Sequence, residues 1–150
     1  MKKIMKLIFS RTLAGLFAGF CLFVFTYHIY QVRQVQKAMN EHARIVSGSI
    51  WDLNPNGSEE YLRAVAMLHN YEYIIVKDDD GNKFIEVTSP VVNPFESRLI
   101  RLKLIPRTKV SAKVYYNQET LGNVEALWLD KSIYAYAYAF LVGLLLFVVI

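Results

Sequence analysis

"QVRQVQKAMNEHARIVSGSIWDLNP", residues 31–55, decides how the rest of the chain is read. Val32, Val35, Met39, His42, Val46 and then Ser49 or Ile50 recur at three-four spacing, while Arg33, Lys37, Glu41 and Arg44 take the other faces. No Gly or Pro interrupts the run before Gly48. The spacing predicts a helix with a narrow apolar seam, suited to a two-helix contact with either a second copy of the chain or the chain's own domain. The helix should stop near "IWDLNP", because Asn54-Pro55 and Asn56-Gly57 are turn dipeptides. There Trp51 and Leu53 are expected to plug the apolar side of the body that follows, with Asp52 and Asn54 satisfying turned backbone. Trp51, Asp52 and Leu53 thus form a candidate joint between the helix and the body that follows, not an active site.

Upstream, residues 13–30 carry no Asp, Glu, Lys or Arg. A helix of that length spans about 27 Å, close to the hydrocarbon thickness of a bilayer. Residues 133–150 are equally free of charge. The two runs predict two transmembrane helices, which also explains a hydrophobic content of 54% and a mean hydropathy of +0.23. Lys2, Lys3, Lys6 and Arg11 precede the first run with no acid among them and account for the whole net charge of +4. That asymmetry places the N-terminus in the cytoplasm and the middle of the chain outside. The pI of 9.1 therefore speaks to topology, and no nucleic-acid partner is expected. A cleaved signal peptide is the rival reading of the first run, but the run is long for one and "AGFCLFVF" offers no clean small-x-small site before polar sequence. Cys21 is the single cysteine, so an internal disulfide is excluded.

Downstream, Ser58 is expected to cap a short helix through "SEEYLRAVAMLHN", with Glu59 and Glu60 in its first turn and Leu62, Val65, Ala66 and His69 on one face. "YEYIIVKDDDGNKFIEVTS" reads as a hairpin, with strands at 73–76 and 84–87. "VVNPFES" reads as a loop, and "LIRLKLIP" as a half-buried strand, since Leu102 and Leu104 alternate with Arg101 and Lys103. "RTKVSAKVYYNQETLGNVEALWL" gives two strands around "NQETLG", the second passing through "DKS" into the second apolar run. The expected layout is a basic cytoplasmic tail (1–12), a first transmembrane helix (13–30), a membrane-proximal helix (31–50), an extracytoplasmic domain (51–131) and a second transmembrane helix (132–150). The fold class is an α+β membrane protein: long helix, short helix and antiparallel sheet between two spans.

In this order, "IWDLNPNGSEEYLRAVAMLHNYEYIIVKDDDGNKF" and "LIPRTKVSAKVYYNQETLGNVEALW" resemble the PAS-like extracytoplasmic sensor region of bacterial two-component sensor histidine kinases. The shared features are a Trp-Asp-Leu unit, a short helix, a strand with an Asp-x-x-Gly turn, and a closing hairpin in which Leu-Gly precedes the strand entering the second span. The resemblance covers most of residues 31–150. It implies a signal-sensing input module in a bacterial inner membrane, with a periplasmic domain, a homodimeric state and an unknown small-molecule or physical stimulus. Diguanylate cyclases and chemoreceptors use similar input domains. Such receptors continue into an output domain, whereas this chain stops at Ile150, so it is expected to be a fragment or a stand-alone protein. The alternative is a small two-span scaffold or accessory protein that binds a partner through its outer domain.

No catalytic motif appears, and the chain itself is not expected to be an enzyme or to carry a cofactor. "DDDGN" invites a calcium reading, but an EF-hand loop opening at Asp78 wants Gly sixth and Glu twelfth, where Lys83 and Ser89 stand. A hairpin turn with positive φ at Gly81 is the better account. His28, His42 and His69 show no ligand spacing, and no metal is expected. Residues 98–113 are basic, and Arg98, Arg101 and Arg107 are the candidates for binding an anionic ligand, with lipid headgroups or plain strand residues facing water as the competing readings. Gly15 and Gly19, and Ala135, Ala139 and Gly143, permit close helix approach in lipid. Tyr134, Tyr136 and Tyr138 fit an interfacial belt but cannot share one helix face.

Overall fold

A computed structural model describes residues 2–89 and 93–149, with side chains described from residue 11 to residue 146 of these. Its elements run α1 (Lys2–Trp51), α2 (Asn56–Leu68), β1 (Tyr71–Asp78), β2 (Lys83–Thr88), α3 (Pro94–Arg101), β3 (Arg107–Tyr116), β4 (Glu119–Leu129) and α4 (Ile133–Val149). The chain is α+β, with a long helix and a four-stranded antiparallel sheet ordered β2-β1-β4-β3. It divides into two compact units. One comprises the residues up to Gln31 with those from Tyr134 onward, and the other is the αβ domain, Val32–Ile133.

In the first unit, rings make the contact between α1 and α4. Phe20 lies 5.4 Å from Phe140, and Tyr136 meets Phe23 at 6.3 Å and Tyr27 at 5.7 Å, both edge-on. The Tyr136 hydroxyl donates to Val24 O at 3.4 Å. Tyr134 and Tyr138 stay exposed, as a spacing of two on a helix requires. A methyl at Gly15, Gly19 or Gly143 would meet nothing within 4 Å, so these glycines do not mediate this contact. Among the described residues, one helix is long and apolar enough to cross a membrane, within Arg11–Trp51. The apolar stretch Ile133–Leu146 is shorter.

The core of the αβ domain joins the seam of α1 to one face of the sheet. Met39, Ala43, Val46 and Ile50 are buried on α1, Leu62, Val65 and Ala66 on α2, and alternate strand residues such as Ile74, Val76, Val124 and Ala126 complete the cluster. The period-3.6 stripe and the period-2 strand alternation therefore close on one another within a single chain. The seam is covered by the chain's own domain.

The joint differs from its expected form. The amides of Leu53 and Asn54 bond back to Ile50 O (3.2 Å) and Ser49 O (2.9 Å), and Leu53 takes φ +52°. This is a Schellman cap, with a leucine in the left-handed position usually held by glycine. Leu53 consequently projects outward, 80% exposed, and does not plug the domain. Trp51 is half exposed and stacks on Tyr116 at 4.7 Å and 20°. Asn54 Oδ1 accepts from the Asn56 amide at 3.3 Å, while the Asp52 carboxylate is exposed and its amide bonds Gly48 O. Ser58 is no cap either. α2 starts at Asn56, and the buried Ser58 hydroxyl donates to Ser49 Oγ at 2.5 Å, tying α2 to α1. A left-handed leucine costs roughly 1 kcal/mol. Leu53→Gly should therefore raise stability by about that amount, read as a higher denaturant midpoint at unchanged slope.

The largest correction falls at residues 94–104. Pro94–Arg101 is helix α3, not loop and strand. Asn93 caps it by accepting from the Phe95 amide at 3.1 Å, Pro94 occupies the first turn with Glu96, and Arg98 and Arg101 fill the last turn. Pro at that position loses no needed hydrogen bond, and the charges complement the helix dipole. A second Schellman cap ends it, with Lys103 at φ +58° and the Lys103 and Leu104 amides bonding Ile100 O and Leu99 O. The alternation of Leu102 and Leu104 thus belongs to a cap. The turn after β3 is likewise shorter than "NQETLG". Asn117 and Gln118, at φ +47° and +72°, form a two-residue hairpin loop whose twist suits the strands.

Candidate functional site

Three places in the αβ domain concentrate polar chemistry. The first lies where α1, α2 and β1 meet. His42 is 6% exposed, and its Nδ1 lies 2.8 Å from the Tyr61 hydroxyl. The His69 ring is 6.0 Å from that of His42 and 6.4 Å from that of Tyr71, while His42 and Tyr71 stand 6.2 Å apart. His69 itself is exposed at the C-cap of α2, so it does not enter the domain, although its ring borders the cluster. His42 Nε2 is buried with no hydrogen-bond partner among the described residues. Burial, reinforced by His69 and opposed by Glu41, holds the His42 pKa below its ordinary 6.5. Burial also pushes the Tyr71 phenol up to about 12, with Tyr61 adding to the effect.

His42 is therefore neutral in the folded domain at neutral pH. Its contribution to stability is complete above the ordinary value of 6.5 and is lost as pH falls through the depressed folded value, because the unfolded chain takes up the proton first. Denaturant midpoints should fall between pH 7.5 and pH 5.5, and His42→Gln should remove part of that slope. Glu125 acts in a separate window. Lys77, bonded to it at 2.9 Å, lowers its pKa below 4.5, so its contribution is lost only at more acid pH.

The second place is the sheet face turned away from α2. A hollow of about 290 Å³ is bounded by Tyr73, Lys109, Val110, Ser111, Glu125 and Ala126. It offers one cation, one carboxylate and two hydroxyls, a mixed polarity that no single residue type in the sequence announces. The third is the exit from β4. Leu129 ends the strand, the Asp130 amide bonds Pro106 O at 3.0 Å, and the Asp130 carboxylate accepts from the Ser132 amide at 3.0 Å. Asp130 is 2% exposed, and Ile133 already belongs to α4.

The three candidate arginines are placed differently from one another. Arg98 and Arg101 are exposed on α3, whereas Arg107 opens β3 and pairs with Glu72 at 3.2 Å. They do not line the hollow. The DDDGN turn is the expected hairpin, with Gly81 at φ +81° and the Asp78 carboxylate accepting from the Asn82 amide at 2.7 Å. Among the described residues no group of three His, Cys, Asp or Glu side chains forms a metal constellation. The proximity of His42 and His69 was not legible in the sequence, because 27 positions separate them and no local pattern connects them.

No family model and no curated protein matches the chain. Among solved structures it is similar to the Pseudomonas fluorescence LapD periplasmic domain, at 21% identity and a TM-score of 0.39, over 81% of this chain and 94% of that one.

Proposed function

We propose that the chain is the input module of a membrane receptor that senses a stimulus outside the cytoplasm and passes it inward. The observation that carries this reading is connectivity. α1 runs without a break from an apolar, charge-free stretch into the core of the αβ domain, and β4 reaches the apolar α4 through three residues, one of them the buried Asp130. A change in packing between the α1 seam and the sheet would then reach both apolar helices with little slack. A ligand drives such a change only if it binds the two packings unequally. In this reading the N-terminus is cytoplasmic in a bacterial inner membrane, the domain is periplasmic, both apolar helices span, and two copies form a homodimer. The sensor-kinase resemblance, which covers most of residues 31–150, supports a histidine kinase as the output.

A chimera with a histidine-kinase output after residue 150 tests the coupling. Trp51→Ala breaks the stack on Tyr116 and should change basal autophosphorylation. A Gly-Ser insertion between Asp130 and Lys131 should erase that difference, and an undiminished effect of Trp51→Ala in the inserted chimera rejects coupling through β4 and α4.

A further inference from the structure

α3 buries none of its residues, yet it is amphipathic. Phe95, Leu99 and Leu102 recur at i, i+4 and i+7 and share one face. Phe95 is 59% exposed, Leu102 68% and Leu104, just past the cap, 47%. Arg98, Arg101 and Lys103 flank these side chains, and no acid occurs from residue 97 to residue 106. The opposite flank faces the domain. There the Glu96 carboxylate pairs with Lys131 at 2.9 Å, and Ile105, 1% exposed, anchors the segment beyond the cap.

Position gives this face a meaning. Lys131 stands two residues before α4, and Pro106 O holds the Asp130 amide. The cationic apolar face is therefore tied, at both ends of its segment, to the residues from which the chain passes into an apolar helix. Solvent-exposed Phe and Leu flanked by Arg and Lys at such a point match the boundary between acyl chains and anionic headgroups.

We infer that residues 95–104 form an interfacial foot. Phe95, Leu99, Leu102 and Leu104 dip into the headgroup region of an anionic bilayer, and Arg98, Arg101 and Lys103 meet lipid phosphates. This assigns Arg98 and Arg101 to lipid, while Arg107 remains a partner of Glu72. It rests on the proposal that α4 enters the membrane.

The test uses the full chain with Cys21→Ser and one environment-sensitive fluorophore at Leu102→Cys, Gln118→Cys or Leu141→Cys. Each is reconstituted in vesicles of phosphatidylcholine alone or with phosphatidylglycerol, with brominated lipids as quencher. The label at 102 should be blue-shifted and quenched in the anionic vesicles, less so in phosphatidylcholine, and should lose its quenching with Arg98→Glu and Arg101→Glu together. The label at 118, on the β3–β4 turn, should stay unquenched, and that at 141 should be quenched in every vesicle. Quenching at 141 with the label at 102 as unquenched as that at 118 overturns the foot and leaves the spanning reading intact. Equal quenching at 102 and 118 also overturns it, and no quenching at 141 removes both.

Discussion

Gly122→Ala should destabilise the αβ domain by about 3 kcal/mol or more, a large part of what a domain of this size has. Gly122 sits at φ +150°, where a side chain is strained whatever the space around it. Space is absent as well. An added methyl would overlap the Lys77 carbonyl oxygen and come within 2.9 Å of its carbon, and both are backbone of the neighbouring strand β1. Nothing there can turn aside. The residue pairs with Asp78 on one side and Val114 on the other, next to the register shift between Val114 and Tyr115, so relief would require parting β4 from a neighbour. Gly81→Ala is the control. Its φ of +81° is also left-handed, but a methyl there meets nothing within 4 Å, so the cost should be near 1 kcal/mol. Denaturation followed by the fluorescence of the buried Trp128 separates the two. Equal midpoint shifts would show that the close approach to β1 has no energetic weight.

Val46→Asp should be at least as damaging, by roughly 4 kcal/mol or more, since it places an unpaired carboxylate in an apolar cluster. Val46 is 0% exposed on the α1 seam, enclosed by the same chain's α2 and sheet. A seam reserved for a second copy would give another result. The charge would then dissociate a dimer while leaving each domain folded. Circular dichroism melting, read beside the oligomeric state in detergent, distinguishes the outcomes. A folded αβ domain with unchanged melting would contradict the packing described here.

Where structure follows local periodicity, the sequence was informative. Met39, His42, Val46 and Ile50 mark the buried stripe of α1, and the DDDGN turn fixes the β1–β2 hairpin. Helix α3 escaped because two patterns overlap there. The Asn93-Pro94 start and the Glu-to-Arg charge order indicate a helix, but Leu102 and Leu104 mimic strand alternation, and a left-handed Lys103 is not announced by its residue type. Leu53 misled for the same reason. A bulky apolar residue at a joint reads as a plug, but φ +52° turns it to solvent. The hollow on the sheet and the histidine pair depend on strand register and on helix-to-strand placement, which a single sequence does not encode locally.

β4 is an interior strand, flanked by β1 and β3, and it is also the strand that continues into α4. Its ladders to both neighbours are antiparallel, with hydrogen bonds lying across the strand direction. A pull along β4 therefore loads two rows of bonds in shear, all sharing the force at once. An edge strand pulled outward would instead peel, one bond at a time. Force entering the sheet where the chain leaves it would thus be spread over two ladders and not concentrated on a single bond.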